Sequence, residues 1–205
     1  MNTKYTLDKL QSVFKKKGYR FFTDNSKPYN LNIIGIRASD TVSNEFNDEI
    51  VVCYPDGDTW RVFSFPATTD PGTAFRLDPI DDEFGTAILV PGQYRGAYQR
   101  GTHRAGTKFA HEALRQVIPL PVYRDNNRDN ILDVKPETIR KGLYGINIHR
   151  ASISKTASTV DYYSAGCQVV QLASDFLKIM ELVKKAEKYW GKSFTYTLIE
   201  EKDLV

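Results

Sequence analysis

Apolar positions recur at helical spacing at both ends of the chain, and alternating or β-branched runs fill the stretch between them. Leu7, Leu10, Val13 and Phe14 fall on one face, with Thr6 ahead of them as a cap and Gly18 behind as a stop. Lys15, Lys16 and Lys17 then form the solvated last turn, where positive charge suits the helix dipole. Asn30 to Arg37 reads as a strand. Glu49 to Tyr54 and Thr59 to Phe65 read as a hairpin, rich in β-branched and aromatic residues and joined by Pro55-Asp56-Gly57-Asp58. Ala67 to Gly106 is turn-rich around short strands at Ala87 to Val90 and Tyr94 to Tyr98. Lys108 to Val117 reads as a helical turn or two, ended by Pro119 and Pro121. Tyr144 to Ala151 is a strand, Ala151 to Ser164 a loop, and Gln168 to Trp190 the longest helix, ended by Gly191. A strand from Ser193 to Ile199 closes a single, strand-dominated α+β domain over residues 1–205.

Composition narrows the class without selecting a function. A chain of 205 residues with 41% hydrophobic and 26% charged positions suits one soluble globular domain and excludes disordered, fibrous and membrane-spanning classes. A chain of this length buries roughly 70% of its unfolded surface, so neither a disulfide between Cys53 and Cys167 nor a metal or other cofactor is required to hold a core. A net charge of +3 without a basic stripe gives no footprint for nucleic acid. The opening Met-Asn-Thr-Lys-Tyr-Thr-Leu lacks the apolar run of a signal peptide, and no segment reaches transmembrane length. These features predict synthesis in the cytosol and no membrane insertion.

Two segments carry candidate chemistry. In Tyr144-Gly-Ile-Asn-Ile-His149, strand alternation places Ile146 and Ile148 on one face and Gly145, Asn147 and His149 on the other. In Ser164-Ala-Gly-Cys167, the cysteine leads straight into the predicted long helix, where unpaired N–H groups and the dipole favour a thiolate. Small Ala165 and Gly166 allow a tight approach and offer backbone N–H groups to an oxyanion. Cys53, flanked by Val51, Val52 and Tyr54, reads as an inert core thiol.

The histidine strand, the loop and the Ser-x-Gly-Cys motif resemble the catalytic signature of the L,D-transpeptidase family. His149 and Cys167 stand eighteen positions apart, and the resemblance extends from Val51 to Gln171. It implies an antiparallel β-sandwich with an N-terminal helix and a long helix after the cysteine, residues 1–48 forming an extension and 49–205 the catalytic region. It also implies that Cys167 is the nucleophile, that His149 is the base, and that the Arg150 carbonyl orients the imidazole. The acyl donor would be a peptidoglycan stem peptide, held as a thioester with its oxyanion on the N–H groups of Cys167, Gly166 and Ala165. The chain departs from the family in having Arg150 where glycine usually follows the histidine, and Gln168-Val169-Val170 where an arginine usually follows the cysteine. Arg150 reads either as a surface charge or as a partner for a substrate carboxylate, and Ser164 either as a capping serine or as a hydrogen-bonding member of the site. The lack of a signal, anchor or wall-binding repeat favours hydrolysis by a phage-like, cell-wall-degrading peptidase that reaches the wall by release or delivery. Cross-linking by a true transpeptidase is the alternative. A catalytically silent binding or virion-structural domain is a third reading, motivated by the missing arginine.

Three further patterns carry candidate ligands or contacts. Asp125, Asn127, Asp129 and Asp133 resemble the start of a calcium loop, but Asn130 stands at the glycine position and Pro136 at the twelfth, so a polar Asx-rich turn is the stronger reading. His103 and His111 share no compact zinc-ligand spacing with His149. Tyr94, Tyr98, Tyr162 and Tyr163 flank the expected cleft in sequence and suit glycopeptide contact, a weak signal among 12 tyrosines.

Overall fold

The computed structural model describes residues 4–40 and 44–205; Met1 to Thr3, part of the stretch read for a signal sequence, lie outside them. In chain order the elements are α1 (Leu7–Lys17), β1 (Asn32–Arg37), β2 (Asp48–Asp56), β3 (Thr59–Thr68), α2 (Thr73–Leu77), β4 (Thr86–Leu89), β5 (Gly92–His103), β6 (His111–Gln116), β7 (Leu120–Asp125), β8 (Arg140–Gly142), β9 (Ile148–Arg150), β10 (Gln168–Val170), α3 (Ala173–Trp190) and β11 (Ser193–Glu200). No helix among the described residues is long and apolar enough to cross a membrane.

The domain is a strand-dominated α+β fold, but its main sheet closes into a barrel rather than stacking as a sandwich. The strand order around it is β1-β11-β5-β6-β9-β10-β3-β2, and β4, β7 and β8 form a separate small sheet. Closure depends on β1, which pairs parallel with β11 (Ile33 opposite Tyr196) and antiparallel with β2 (Ile33 opposite Val52). Residues 1–48 therefore contribute a barrel strand. A second parallel pair, β9 with β10, makes the sheet mixed rather than antiparallel.

Both faces of the β1–β2 pair are covered, which explains why β1 is buried at every position. Ile33, Ile50 and Val52 join the main core with the α3 residues Phe176, Ile179 and Val183 and the small-sheet residues Leu89 and Val122. Ile34, Ile36, Val51 and Cys53 point the other way and are covered by Leu10, Val13 and Phe14 of α1. Thr6 Oγ1 caps that helix by accepting from Lys9 N at 3.4 Å, and Gly18, at φ 69°, ends it by donating to the Phe14 and Lys15 carbonyls.

Two local expectations are corrected. Lys108 to Val117 is not helical: His111–Gln116 is a strand that pairs with β5, His103 opposite His111, and so completes the barrel wall. The long helix starts at Ala173 and not at Gln168, because Val169 and Val170 fit between β9 and β3 as a short strand.

Candidate active site

The short strands β9 and β10 bring the sequence-predicted pair to one face of the barrel wall. Val169 lies opposite His149, Gln168 N donates to the Asn147 carbonyl at 2.9 Å, and Ala151 N donates to the Val170 carbonyl at 2.9 Å. Alternation then sends Ile148 and Val170 into the main core. Cys167 packs instead beside Val169, in a cluster with Ala151 and Ala157. Gln168, where the resembled family carries its arginine nearby, is fully buried and accepts a hydrogen bond from Tyr196 Oη at 2.8 Å.

The turn before the cysteine is tied by one side chain. Ser164 is fully buried; its Oγ accepts from Gly166 N at 3.1 Å and donates to the Cys167 carbonyl at 2.8 Å. Ser164 thus holds the shape of the turn, and the Gly166 N–H is engaged by that oxygen rather than open to an oxyanion. Gly166 has φ 119°, and a Cβ there would lie 2.4 Å from the Ala87 carbonyl oxygen, so only glycine fits between this turn and β4.

Because Cys167 leads into a strand, no helix dipole acts on it. Its thiol is half-buried and donates to the Gly145 carbonyl at 3.3 Å. Burial pushes its pKa up to about 11, outweighing the Asn147 N–H and the Arg104 charge that favour the thiolate. The expectation of a dipole-lowered thiol is overturned on this point. Cys53 is buried more completely, and burial alone pushes it up to about 12.

All three histidines of the chain gather in one cluster, of which His103 borders the same cavity as Cys167. The His103 and His149 rings stack with centroids 4.0 Å apart and 14° between planes, and His111 meets them edge-on at 5.2 and 5.5 Å. His149 is only 3% exposed. Its Nδ1–H donates to the Arg150 carbonyl at 2.7 Å, and that of His111 to the Phe109 carbonyl at 2.8 Å, so in both rings the lone pair is on Nε2. Both Nε2 atoms are buried without a hydrogen-bond partner. His103 has the opposite tautomer. Asn147 Oδ1 accepts from Gln116 N at 3.0 Å, which turns its amide N–H toward His103 Nδ1 at 3.1 Å and leaves the proton on His103 Nε2. Burial depresses both stacked rings, followed by charge repulsion from His111 on His103 and from His103 on His149: His103 falls to about 4 and His149 well below its ordinary value.

Two cavities meet at this cluster. One, of about 300 Å³, is bordered by Cys167, Ala165, Gly145, Tyr144 and Arg124; the other, of about 270 Å³, by His149, His111, Arg150 and Tyr162. His103, Arg104 and Tyr163 border both. Cys167 and His149 therefore open on adjoining cavities with His103 at the seam, and no hydrogen bond joins the sulfur to an imidazole.

Compared with protein-family models, curated proteins and solved structures, the chain matches none.

The remaining candidates lie elsewhere. In the Asp125 to Asp133 loop the polar side chains engage one another and the local backbone. Asn127 Nδ2 donates to Asp129 and Asp133, Asp129 Oδ1 accepts from Ile131 N at 2.7 Å, and Lys135 pairs with Asp133 at 2.8 Å. Asp125 is buried, and its Oδ2 accepts from Asp133 N at 3.4 Å. Among the described residues no group of three or more His, Cys, Asp or Glu side chains is arranged to hold a metal ion. Tyr94 and Tyr98 belong to the core, not to a cleft, whereas Tyr162 and Tyr163 border the cavities. Sequence reasoning missed His103 and Arg104 as members of the site; the available signal was His103 falling opposite His111 once both are read as strand residues.

Proposed function

We propose that the chain is a cysteine acyl-transfer enzyme acting on peptidoglycan stem peptides. The observation that supports this reading is the placement of His149 on β9 and of Cys167 directly before β10, the strand paired with it, the two residues opening on adjoining cavities that share His103. In the proposed reaction, substrate displaces the thiol from the Gly145 carbonyl. His149 Nε2 takes the thiol proton as sulfur attacks the scissile carbonyl carbon. The tetrahedral oxyanion rests on the Cys167 and Ala165 N–H groups. The C–N bond then breaks, His149 returns its proton to the leaving amine, and a thioester remains. Water resolves the thioester in a cell-wall-degrading peptidase; an amine resolves it in a transpeptidase.

One observation favours a second reading, a catalytically silent binding or virion-structural domain: the thiol, pushed up to about 11, is bonded to a carbonyl rather than to a base. Incubation with purified sacculi and with tetrapeptide stems, read by mass, separates the three. A trimmed stem supports hydrolysis and a joined stem transpeptidation. Unchanged stems with both the native protein and Cys167→Ala would leave the silent domain.

A further inference from the structure

A cleft of about 690 Å³, more than twice the volume of either cavity at the Cys167–His149 site, opens where Trp190 ends α3. The helix has 18 residues, which puts roughly 27 Å between its first turn, just after β10, and this cleft. Two side-chain amides hold one wall, the loop that follows α1. Gln93 exchanges a pair of hydrogen bonds with the Arg20 backbone, both at 2.9 Å, and Asn32 does the same with Phe22 at 2.8 and 3.0 Å. The opposite wall is a bulge. Tyr94 and Tyr98 pair with Tyr196 and Phe194, so Arg95, Gly96 and Ala97 of β5 stand opposite Thr195 alone. Gly96 takes the left-handed turn this requires, with φ 62°, and Arg95 is aimed outward. Tyr29, also on the cleft, has φ 62° as well, an unfavourable conformation for a bulky residue.

The groups these walls present are aromatic rings and unspent polar atoms of both kinds. Phe22 and Trp190 are half-buried at the cleft. Trp190 Nε1–H donates to the Pro28 carbonyl at 2.8 Å, which fixes the ring, and the exposed Lys27 Nζ stands 5.9 Å from the ring centroid, so that face is not packed under protein. Arg20 and Arg95 border the cleft, and neither forms an ion pair among the described residues. Asn30 is only 8% exposed and gives its Nδ2–H to the Asp24 carbonyl at 3.0 Å, while its Oδ1 accepts no hydrogen bond among the described residues. The Asp24 carboxylate, one oxygen accepting from Ser26 N at 2.8 Å, adds a negative charge to the same wall.

We propose that this cleft binds a neutral glycan of N-acetylated amino sugars. The guanidiniums call for acceptor oxygens and Asn30 Oδ1 for a donor. An acetamido group carries a carbonyl and an N–H on one rigid plane, and sugar hydroxyls donate and accept. The C–H face of a pyranose ring is apolar and meets the negative face of an aromatic ring, here that of Trp190. A volume of about 690 Å³ lies within the roughly 300–1,000 Å³ of ligand clefts. Single-stranded nucleic acid also stacks on aromatic rings and pairs with arginine, but the Asp24 carboxylate repels its phosphates. Such a site is independent of the acyl-transfer reading, since it serves a catalytic and a silent domain alike.

Trp190 supplies the readout. Its indole N–H resonance, assigned by comparison with Trp60→Phe, is expected to move on titration with tetra-N-acetylchitotetraose, with saturation in the millimolar range or below. Arg20→Gln and Arg95→Gln change exposed residues, and each, checked for an unchanged thermal midpoint, is expected to weaken binding about fivefold through one lost hydrogen bond. Cellotetraose, which lacks the acetamido group, is expected to bind about fivefold or more weakly. Equal affinity for the two sugars would overturn the acetamido assignment. An indole resonance that stays in place, or an affinity unmoved by both arginine variants, would overturn the site. So would shifts confined to the His103 and His149 imidazoles, which would put the sugar at the other end of α3. Oligothymidylate binding more tightly than the sugar at the same resonance would make the cleft a nucleic-acid site instead.

Discussion

His103 and His149 stack with ring centroids 4.0 Å apart, and burial of this stack favours the neutral form of both imidazoles. Two imidazoliums at that separation would repel in a site that already excludes water. The tautomers are fixed from opposite sides, by Asn147 for His103 and by the Arg150 carbonyl for His149.

Acid sensitivity follows from the burial of this stack. Both folded-state values lie below the unfolded value near 6.5, so the unfolded chain binds more protons there. The stabilising contribution is complete above pH 6.5 and is lost as pH falls toward 4. Chemical denaturation of the native protein is expected to show this loss, and His103→Phe, which keeps a stacked ring without a titrating one, is expected to show a flatter profile. Parallel profiles would count against the stack as the cause.

The thiol gives a second pH dependence. With Cys167 at about 11, its alkylation by iodoacetamide is expected to rise about tenfold per unit through pH 10. At pH 8 it is expected to run on the order of a hundredfold below a thiol of ordinary pKa. A plateau at or below pH 8.5 would mean that the free protein already holds a thiolate, contrary to the burial argument.

What the sequence made legible was mostly local. The Thr6 and Gly18 signals bound α1, and Pro55 to Asp58 marks the β2–β3 hairpin, because cap and turn chemistry is written in adjacent residues. Strand alternation also separated Ile148 from His149 correctly. Barrel closure had no local signal, since β1 meets β11 across most of the chain. Phe109, Ala113, Leu114 and Val117 mimic helical spacing, but the pairing of β6 with β5 overrides it. The same ambiguity hid the start of α3. Val169 continues the helical stripe into Leu172 and Phe176, yet its backbone is claimed by strands on both sides. Cys167 therefore precedes a strand rather than a helix N-terminus, and burial, not a dipole, sets the direction of its pKa shift.

The turn before Cys167 is expected to tolerate little change. Gly166→Ala meets the Ala87 carbonyl and an unfavourable φ, at a cost of about 1–3 kcal/mol from the backbone alone. Ser164→Ala leaves the Gly166 N–H without its partner, at about 1–3 kcal/mol. In a domain of this size each kcal/mol lowers the thermal midpoint by roughly 2–4 °C. Midpoints within a degree of the native protein for both variants would show that the turn is not held as described.

A pH effect in the opposite sense is expected from a buried cluster at the end of β1. Arg37 lies 2.8 Å from Asp70 and donates to the Thr69 and Leu89 carbonyls, so its charge is shared unequally between two carboxyls. Asp48 has no such ion pair. Its oxygens accept from Ala38 N at 2.7 Å and from Thr69 N and Oγ1 at 2.6 and 2.8 Å. Burial, then the nearby Asp70 charge, pushes it up to about 7. A carboxyl raised in this way binds its proton more tightly in the folded state. Its contribution is therefore complete below the unfolded value near 4 and is lost as pH rises through about 7. This slope opposes that of the histidines. Asp48→Asn is expected to remove the alkaline loss, because the amide does not titrate. It also turns an N–H₂ toward backbone donors, costing about 1–3 kcal/mol at acid pH. Denaturation at pH 5 and pH 8 checks both halves: the variant is expected to lose more stability relative to the native protein at pH 5 than at pH 8. Equal losses at the two pH values would mean that Asp48 is ionised throughout and that Arg37 neutralises both acids.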